Sequence, residues 1–581
     1  MNPDARQIRL RWLVVLSWAA LGVFLIRVGW MTVARGEYYA EEARKNFLLP
    51  NVISAPRGQI LDRHLEPLAF NRLSYTLGVR PYQLGRDEIA STLRILSEML
   101  GGDFEPFLDD IMALRPRWQT FELARDLTVE EAAPLLERQD QLPGLRLTAV
   151  YERFYPAGRV ASHIIGFTGS IPAERWKQFE ALGYSRSEQT GRAGLELMYE
   201  SLLRGTAGHE VMKRNARGAL IENMVVRPAQ PGHTLVLTID AGLQFHIYDL
   251  LSAGRGVIIV MDCFNGEILG MISRPDFDPN RVAASLRDEQ DSFFNRAVQG
   301  LYPPGSTIKP LTALAFLRAG GQPDDTIVCG GRLYLPGWPH PFVCNNVWGH
   351  GAETLLSALQ HSCNVYFYEA VRRTGVKYLL VAADEFGLTE RTGVDLPGEN
   401  SGSLGLERSD SVPGDLLLAA IGQGRVQETP LQMLRFICAL ANGDHLPVPH
   451  LARGVIPPGG QDVRPLAGAQ NSQGRRIYLE ESQRLAIVQG MRWVVQRPGG
   501  TAFDAHFPPE WDVAGKSGSA ETARGDVDAW FVSFAPAHRP RWAVLVLLEG
   551  GGHGGEAAAP VAREVYRYLF EHDVGGGQDG M

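Results

Sequence analysis

Three short stretches of this 581-residue chain carry side chains that together could acylate a serine: Ser306-Thr307-Ile308-Lys309, Ser362-Cys363-Asn364 and Lys516-Ser517-Gly518. A serine hydroxyl is a weak nucleophile at neutral pH, and a lysine can take its proton only where burial or nearby cations depress the ammonium pKa. If Ser306 opens a helix, its spacing from Lys309 stacks the two side chains on one face, a turn apart and within hydrogen-bonding reach. The flanks predict that placement. Tyr302-Pro303-Pro304-Gly305 is a turn signal, and Pro310 to Leu317 reads as a buried helix with its proline in the first turn, where the missing N–H costs little. Such a helix start also offers free N–H groups and a positive dipole end to a developing oxyanion.

Asp512 to Ala520 reads as a strand, on which Lys516 and Gly518 share a face and the glycine leaves room for a peptide-like ligand against the backbone. A lone Ser-x-x-Lys is a weak signal that commonly marks no more than a helix start, and a lysine on a glycine-bearing edge strand is commonly a surface residue. The set of three, in this order, resembles the Ser-x-x-Lys, Ser-x-Asn and Lys-[Ser/Thr]-Gly elements of penicillin-binding proteins and class A β-lactamases.

The elements that must position these groups follow from the rest of the chain. Its length exceeds what one core holds, so two or more domains are expected. A net charge of −8 and a pI near 6.0 argue against nucleic acid as a partner. Trp12 to Ala34 is apolar over roughly the ~20 residues needed to cross a bilayer. Arg6, Arg9 and Arg11 precede it, which predicts a cytoplasmic N-terminus and an extracytoplasmic remainder. Because the span ends among Trp30, Met31 and Arg35 rather than in small residues, an uncleaved anchor is expected rather than a signal peptide. Arg27 either snorkels or faces a partner helix.

Beyond the anchor, Pro56-Arg57-Gly58 through Asp62-Arg63, Arg153-Phe154-Tyr155-Pro156-Ala157-Gly158, Ser162-His163-Ile164-Ile165-Gly166, Gly194-Leu195-Glu196 and Arg204-Gly205 resemble, in order, the blocks of the non-catalytic pedestal of class B penicillin-binding proteins. Taken singly they read as turn glycines and surface ion pairs. Helical spacing of Leu93, Ile95, Leu96, Met99 and Leu100 predicts a mostly helical insertion between blocks, near 72–150. From Gly232 on, β-branched runs at 233–240 and 256–262 and an Asn265-Gly266 hairpin signal predict strands. Helices are expected over Leu355 to Gly375 and Gln432 to Leu440, strands at Trp530–Phe534 and Trp542–Leu548, and a closing helix from Val561 to Glu571. Strands, then helices, then strands predict an α/β (α+β) class with an antiparallel sheet flanked by helices. The expected organisation is 1–35 stub and anchor, 36–231 pedestal, 232–574 catalytic domain, and a disordered tail at 575–581.

The chain as a whole is similar to elongation-type class B penicillin-binding proteins. The resemblance implies a D,D-transpeptidase that cross-links peptidoglycan stem peptides in the periplasm, is acylated by β-lactams, and serves cell-wall elongation and cell shape. It assigns Ser306 as nucleophile, Lys309 as base, Ser362 and Asn364 as proton relay and amide anchor, and Lys516, Ser517, Gly518 and Ser519 to substrate binding. It also implies a polytopic glycosyltransferase partner in the cytoplasmic membrane. A serine D,D-carboxypeptidase, a division-type transpeptidase and a non-catalytic β-lactam sensor are the alternatives. A hydrolase would need a water-activating group, for which no motif is present.

Five cysteines give a separate signal. Cys329, Cys344 and Cys363 fall with His350 in one segment, four soft or borderline ligands suited to a closed tetrahedral Zn²⁺ site. A Cys329–Cys344 disulfide is the alternative in an oxidising compartment, and unlinked thiols a third. The family resemblance, in which this loop can carry a metal, weights the reading toward zinc. Such a site would hold Ser362 and Asn364 in place, since Cys363 lies between them. Cys263 and Cys438 read as packing residues, and His163, His361 and His553 as structural, with no carboxylate partner evident.

Overall fold

The computed structural model describes residues 3–575 except 36, 39–47, 54, 83, 116–119, 186–187, 215–219, 253, 287–290, 407–411, 467–473 and 523–524. The expected tail beyond Gly575 therefore lies outside the described residues, as do the side chains of Arg6, Arg9 and Arg11. The chain forms two compact units: Met1–Pro56 with Gly205–Pro231, and Arg57–Arg204 with Gly232–Met581.

The first unit holds a long helix, α1 (Pro3–Gly29), continued by a π-helical turn at Trp30–Ala34. Within it Trp12–Val33 is long and apolar enough to cross a membrane. Arg27 lies over the ring of Trp30 at 4.9 Å. Leu48–Ile53, Gly208–Arg214 and Leu220–Arg227 form a small antiparallel sheet.

In the second unit the central sheet is fully antiparallel. Its strands are β1 (Gly256–Asp262), β2 (Ile268–Arg274), β3 (Ala514–Glu521), β4 (Val527–Ala535) and β5 (Trp542–Leu548), in the order β2-β1-β5-β4-β3. The strands are buried on both faces, and alternation divides their residues. Val257, Ile259, Leu545, Trp530 and Val532 join one core with α2 (Lys309–Arg318) and the buried helix Pro430–Asn442. Ile258, Val260, Val544 and Phe531 join a second core with Ala241–Leu250 and a C-terminal helix, Gly554–His572. Removing this much apolar surface from water at about 25 cal/mol per Å² is the main stabilising contribution.

Three expectations are corrected here. The predicted Leu355 to Gly375 helix is two helices, α3 (Leu355–Gln360) and α4 (Asn364–Thr374), broken at Ser362, whose φ is +54°. No glycine or proline announces the break; Cys363 caps α4 instead, its thiol accepting from the Tyr366 N–H at 3.4 Å. Second, the 72–150 segment is not mostly helical. Arg86–Leu100, Leu108–Ala113 and Val129–Glu137 are helices, but Pro67–Val79 pairs with Phe121–Leu127 and Leu145–Phe154 in an antiparallel sheet against which Leu93 and Leu96 pack. Third, Thr234–Leu237 does not join the central sheet. It pairs in parallel with Ile60–Leu61 and antiparallel with Ala452–Ile456, so residues 57–204 and 232–581 share one continuous body.

The blocks that resemble a pedestal meet in the interior rather than at the surface. Glu196, fully buried, takes Arg57 Nε on one carboxylate oxygen and Arg153 Nε on the other, both at 2.6 Å. Arg57 also reaches Glu200 at 2.7 Å, and Arg153 donates to the Gly58 carbonyl at 2.8 Å. Gly58 is needed there because a Cβ would fall 1.8 Å from the His233 carbonyl oxygen.

Candidate active site

The nucleophile candidate sits on a turn and not yet on the helix. Gly305–Ile308 is a single 3₁₀ turn, and α2 begins at Lys309, with Pro310 in its first turn as expected. The turn closes against β3 so tightly that Gly518 has no room for a side chain: a Cβ would lie 2.9 Å from Thr307 Cγ2 and 3.0 Å from the Pro304 carbonyl oxygen. Gly518 therefore admits the turn that carries Ser306, a packing reason that differs from the expected one of ligand clearance. Ser306, Ser362, Asn364, Ser517, Gly518 and Ser519 line one cavity of about 660 Å³, together with Tyr368, Thr501 and His553.

Lys309 and Lys516 lie beneath this cavity, both completely buried. Lys309 Nζ donates to the Ser362 carbonyl at 2.7 Å, to Ser362 Oγ at 3.1 Å and to Asn364 Oδ1 at 2.7 Å. Lys516 Nζ donates to the same Ser362 Oγ at 2.9 Å and to the Ser517 carbonyl at 2.9 Å. The positive φ of Ser362 is what turns both its carbonyl and its hydroxyl toward Lys309. The anticipated Ser306–Lys309 side-chain bond is replaced by this bridge; the Ser306 hydroxyl has no hydrogen-bond partner among the described residues. No carboxylate among the described residues contacts either ammonium. Burial, only partly offset by the thiols of Cys363 and Cys344, lowers Lys309 to about 8. Burial and then the charge of Lys309 push Lys516 well below the ordinary lysine range.

At the far side of β3, Ser517 Oγ and Thr501 Oγ1 are 2.6 Å apart, and Ser519 Oγ is 3.4 Å from His553 Nδ1. Thr501 and His553 carry no motif and were not expected in the site. Thr501 lies 16 positions before Ser517, and only the fold brings them together.

Cys329, Cys344, His350 and Cys363 also converge, their ligand atoms all within 4.8 Å of one another. Cys344 Sγ is 3.8 Å from Cys363 Sγ and 3.5 Å from His350 Nδ1, and Cys329 Sγ is 3.7 Å from the same nitrogen. Four ligands at ordinary zinc distances would have edges of about 3.8 Å between sulfurs and about 3.6 Å between sulfur and nitrogen, so the donor set fits a closed tetrahedral site. It is too wide for a disulfide, which needs sulfurs about 2.05 Å apart. The hydrogen bond with Cys363 holds Cys344 down at about 4, and the same bond together with burial pushes the Cys363 thiol up. His361, expected to lack an acidic partner, bonds buried Glu353 through Nδ1 at 2.8 Å and stacks on His350 with ring centroids 5.6 Å apart. The partner eight positions upstream lies beyond the spacing at which sequence reveals a pair. His163 is a core residue bonded to the Ser292 carbonyl at 2.9 Å, and burial lowers it to about 4.

Residues 256–567 match the family described as penicillin binding protein transpeptidase domain, and residues 52–237 the penicillin-binding protein dimerisation domain. The peptidoglycan D,D-transpeptidase MrdA of Acinetobacter baumannii is 30% identical over 94% of this chain and 85% of its own length, and that of Escherichia coli is 30% identical over 95% and 91%. Among solved structures, the penicillin-binding protein PBP2 in complex with MreC from Helicobacter pylori superposes with a TM-score of 0.75 at 27% identity, over 90% of this chain and 99% of that one. A chain from a peptidoglycan synthase complex that coordinates polymerization and crosslinking superposes with a TM-score of 0.73 at 29% identity, over 98% and 100%.

Proposed function

Because this chain belongs to the penicillin-binding protein transpeptidases and is an elongation-type peptidoglycan D,D-transpeptidase, we propose that it works through an acyl-enzyme on Ser306. The observation that carries this reading is the Ser362 hydroxyl held between two buried, carboxylate-free lysines at 3.1 and 2.9 Å. Ser306 Oγ attacks the penultimate D-alanine carbonyl of a stem peptide as its proton passes to neutral Lys309. The C–N bond to the terminal D-alanine then breaks, and the proton reaches the leaving amine through Ser362 Oγ. An amine from a second stem attacks the ester, forms the cross-link and returns the proton to Ser306. Lys516 stabilises the Ser362 hydroxyl, Asn364 anchors the substrate amide, and the hydroxyls of Ser517 and Ser519 bind the terminal carboxylate. Backbone N–H groups of Ser306 and Ser519 form the oxyanion hole, each such donor contributing about 10²- to 10³-fold.

Incubating the full chain with a fluorescent penicillin tests this. Stable labelling that disappears in Ser306→Ala is the expected result; rapid release of the label would instead place the chain with hydrolases, and labelling that survives the substitution would exclude Ser306.

Cys329, Cys344, His350 and Cys363 are proposed to hold Zn²⁺. With all four positions filled by protein the ion would be structural, tying the 328–351 loop to the residue between Ser362 and Asn364. Purified protein should contain about one zinc per chain, lost in Cys344→Ser together with a drop in thermal midpoint; metal-free protein of unchanged midpoint would sink the assignment. The helix Trp12–Val33 serves as a single-pass anchor with the N-terminus inside and the catalytic unit periplasmic. As partners, a MreC-like protein and a polytopic glycosyltransferase of the synthase complex are inferred from the similar structures, testable by co-purification from membranes.

A further inference from the structure

The N-terminus of the last helix is built so closely onto β3 that one exposed side chain is delivered into the active-site cavity. This helix, α5 (Gly554–His572), has His553 as its N-cap. Gly554 packs where a Cβ would lie 2.2 Å from the Trp530 carbonyl oxygen and 2.3 Å from that of Gly518; at Gly555 it would lie 1.7 Å from that of Thr501. Only glycines allow this approach, and its result is that His553 stands over Ser519 with Nδ1 3.4 Å from the hydroxyl oxygen. The Gly554 N–H donates to the same oxygen at 3.3 Å.

The charges around the cavity then decide where an anion can go. Among the described residues lining it, Glu521 and Glu556 are acidic, and His553 is the only side chain that can carry a positive charge, because Lys309 and Lys516 lie below the surface with their donors engaged. Both glutamates border the hydroxyl side, Glu521 two residues past Ser519 on β3 and Glu556 three past His553, so a donor's terminal carboxylate bound there needs donors that offset their repulsion. There Ser519 already accepts the Gly554 N–H. With its ring proton on Nδ1, His553 is a second donor to Ser519 Oγ, which leaves the serine's own proton for the carboxylate; a protonated ring adds a full charge.

We propose that His553 is a specificity-determining residue for the terminal carboxylate of the donor, acting with Ser519. It rests on the reading of Ser306 as nucleophile and of the β3 hydroxyls as the carboxylate side.

The test compares two donors on the full-length protein: an acyl-D-alanyl thioglycolate, which ends in a carboxylate, and the matching thioglycolamide, which does not, with thiol release as the readout. In wild type the carboxylate donor should be preferred. His553→Ala should lower kcat/KM for the carboxylate donor by about tenfold, mainly through KM, and leave the amide within about twofold. His553→Gln, which keeps an N–H donor, should recover much of the loss. In Ser519→Ala the further loss on removing His553 should be small, because the two act on one group. Equal losses on both donors, a wild type indifferent to the carboxylate, or losses from Ser519→Ala and His553→Ala that multiply independently would each overturn the assignment. Thiol release that survives Ser306→Ala would overturn the nucleophile reading itself, whereas release that needs Ser306 but ignores His553 overturns the His553 assignment alone.

Discussion

Two clusters in the larger unit hold basic side chains out of water, and they treat the charge in opposite ways. Around Glu196, two guanidiniums meet a carboxylate head-on, with a second carboxylate, Glu200, at the edge. Burial alone would pull Arg57 down, but Glu196 and Glu200 outweigh it and hold the guanidinium above its ordinary value. Burial would likewise raise Glu196, yet Arg153 and Arg57 keep it below the usual carboxylate range. Arg57 and Glu196 are thereby held in their charged forms. Around Ser362, by contrast, the hydrogen bonds that two ammoniums make among the described residues go to carbonyl, amide and hydroxyl oxygens. No carboxylate among the described residues compensates them, and the Cys363 and Cys344 thiols offset only part of the burial of Lys309, so their pKa values fall toward the range where a lysine can give and take protons. A compensated buried charge holds a fold; an uncompensated one can do acid-base work.

The difference is sharpest if each cluster is neutralised in turn. Lys309→Met keeps the length and apolar stem of the side chain and removes a charge whose burial is unpaid by any carboxylate. Acylation by fluorescent penicillin should fall by about 10²- to 10⁴-fold, while the thermal midpoint of the full chain stays put or rises. A variant that acylates normally, or one that unfolds, would show that Lys309 serves structure as the arginines do.

The mirror experiment is Glu196→Gln, which keeps the shape, leaves Arg153 without its carboxylate partner and leaves Arg57 with Glu200 alone. Breaking a buried pair in this way costs about 3–5 kcal/mol, so the thermal midpoint should drop by on the order of 5–10 °C. Protein that remains folded should still acylate within a few-fold of wild type. A stable Glu196→Gln with lost acylation would reverse the roles assigned to the two clusters.

How much of this contrast was legible in the chain depends on distance along it. Ser306, Lys309, Ser362, Asn364 and Lys516 are visible as short motifs because each pairs chemistry with local spacing, and the structure brings them to one cavity floor and wall. The strands of the central sheet are legible because β-branched apolar runs and the Asn265-Gly266 turn are local signals. What escapes is whatever a distant segment imposes. The helix break at Ser362 is announced by neither glycine nor proline; there the Ser362 carbonyl accepts from Lys309, 53 positions away. Arg57 and Glu196 are 139 positions apart, so turn glycines and ion pairs that read as surface features are in fact core. His553 reads as a lone histidine in a glycine-rich loop, and those glycines are what carry it to Ser519.

The smallest expected effect separates the clusters by titration rather than by substitution. If Lys309 must be neutral to take the Ser306 proton, the acylation rate rises with pH by about tenfold per unit and levels off above about 8, the value to which burial lowers it. Stability follows with the same sign. Between about 8 in the folded chain and its ordinary 10.5 unfolded, the unfolded state holds a proton that the native lysine has released, so folding stability gained from this site grows as pH rises through that window. The Glu196 cluster acts at the other end: its carboxylate is held below its ordinary 4.5, so its contribution is complete above that value and is lost as pH falls beneath it. The alkaline limb thus belongs to Lys309 and the acid limb to Glu196. Lys309→Met should therefore flatten the residual acylation profile around pH 8 and leave the acid limb of the stability curve unchanged, whereas an acid limb that shifts with Lys309 would mean that the two clusters share their charge after all.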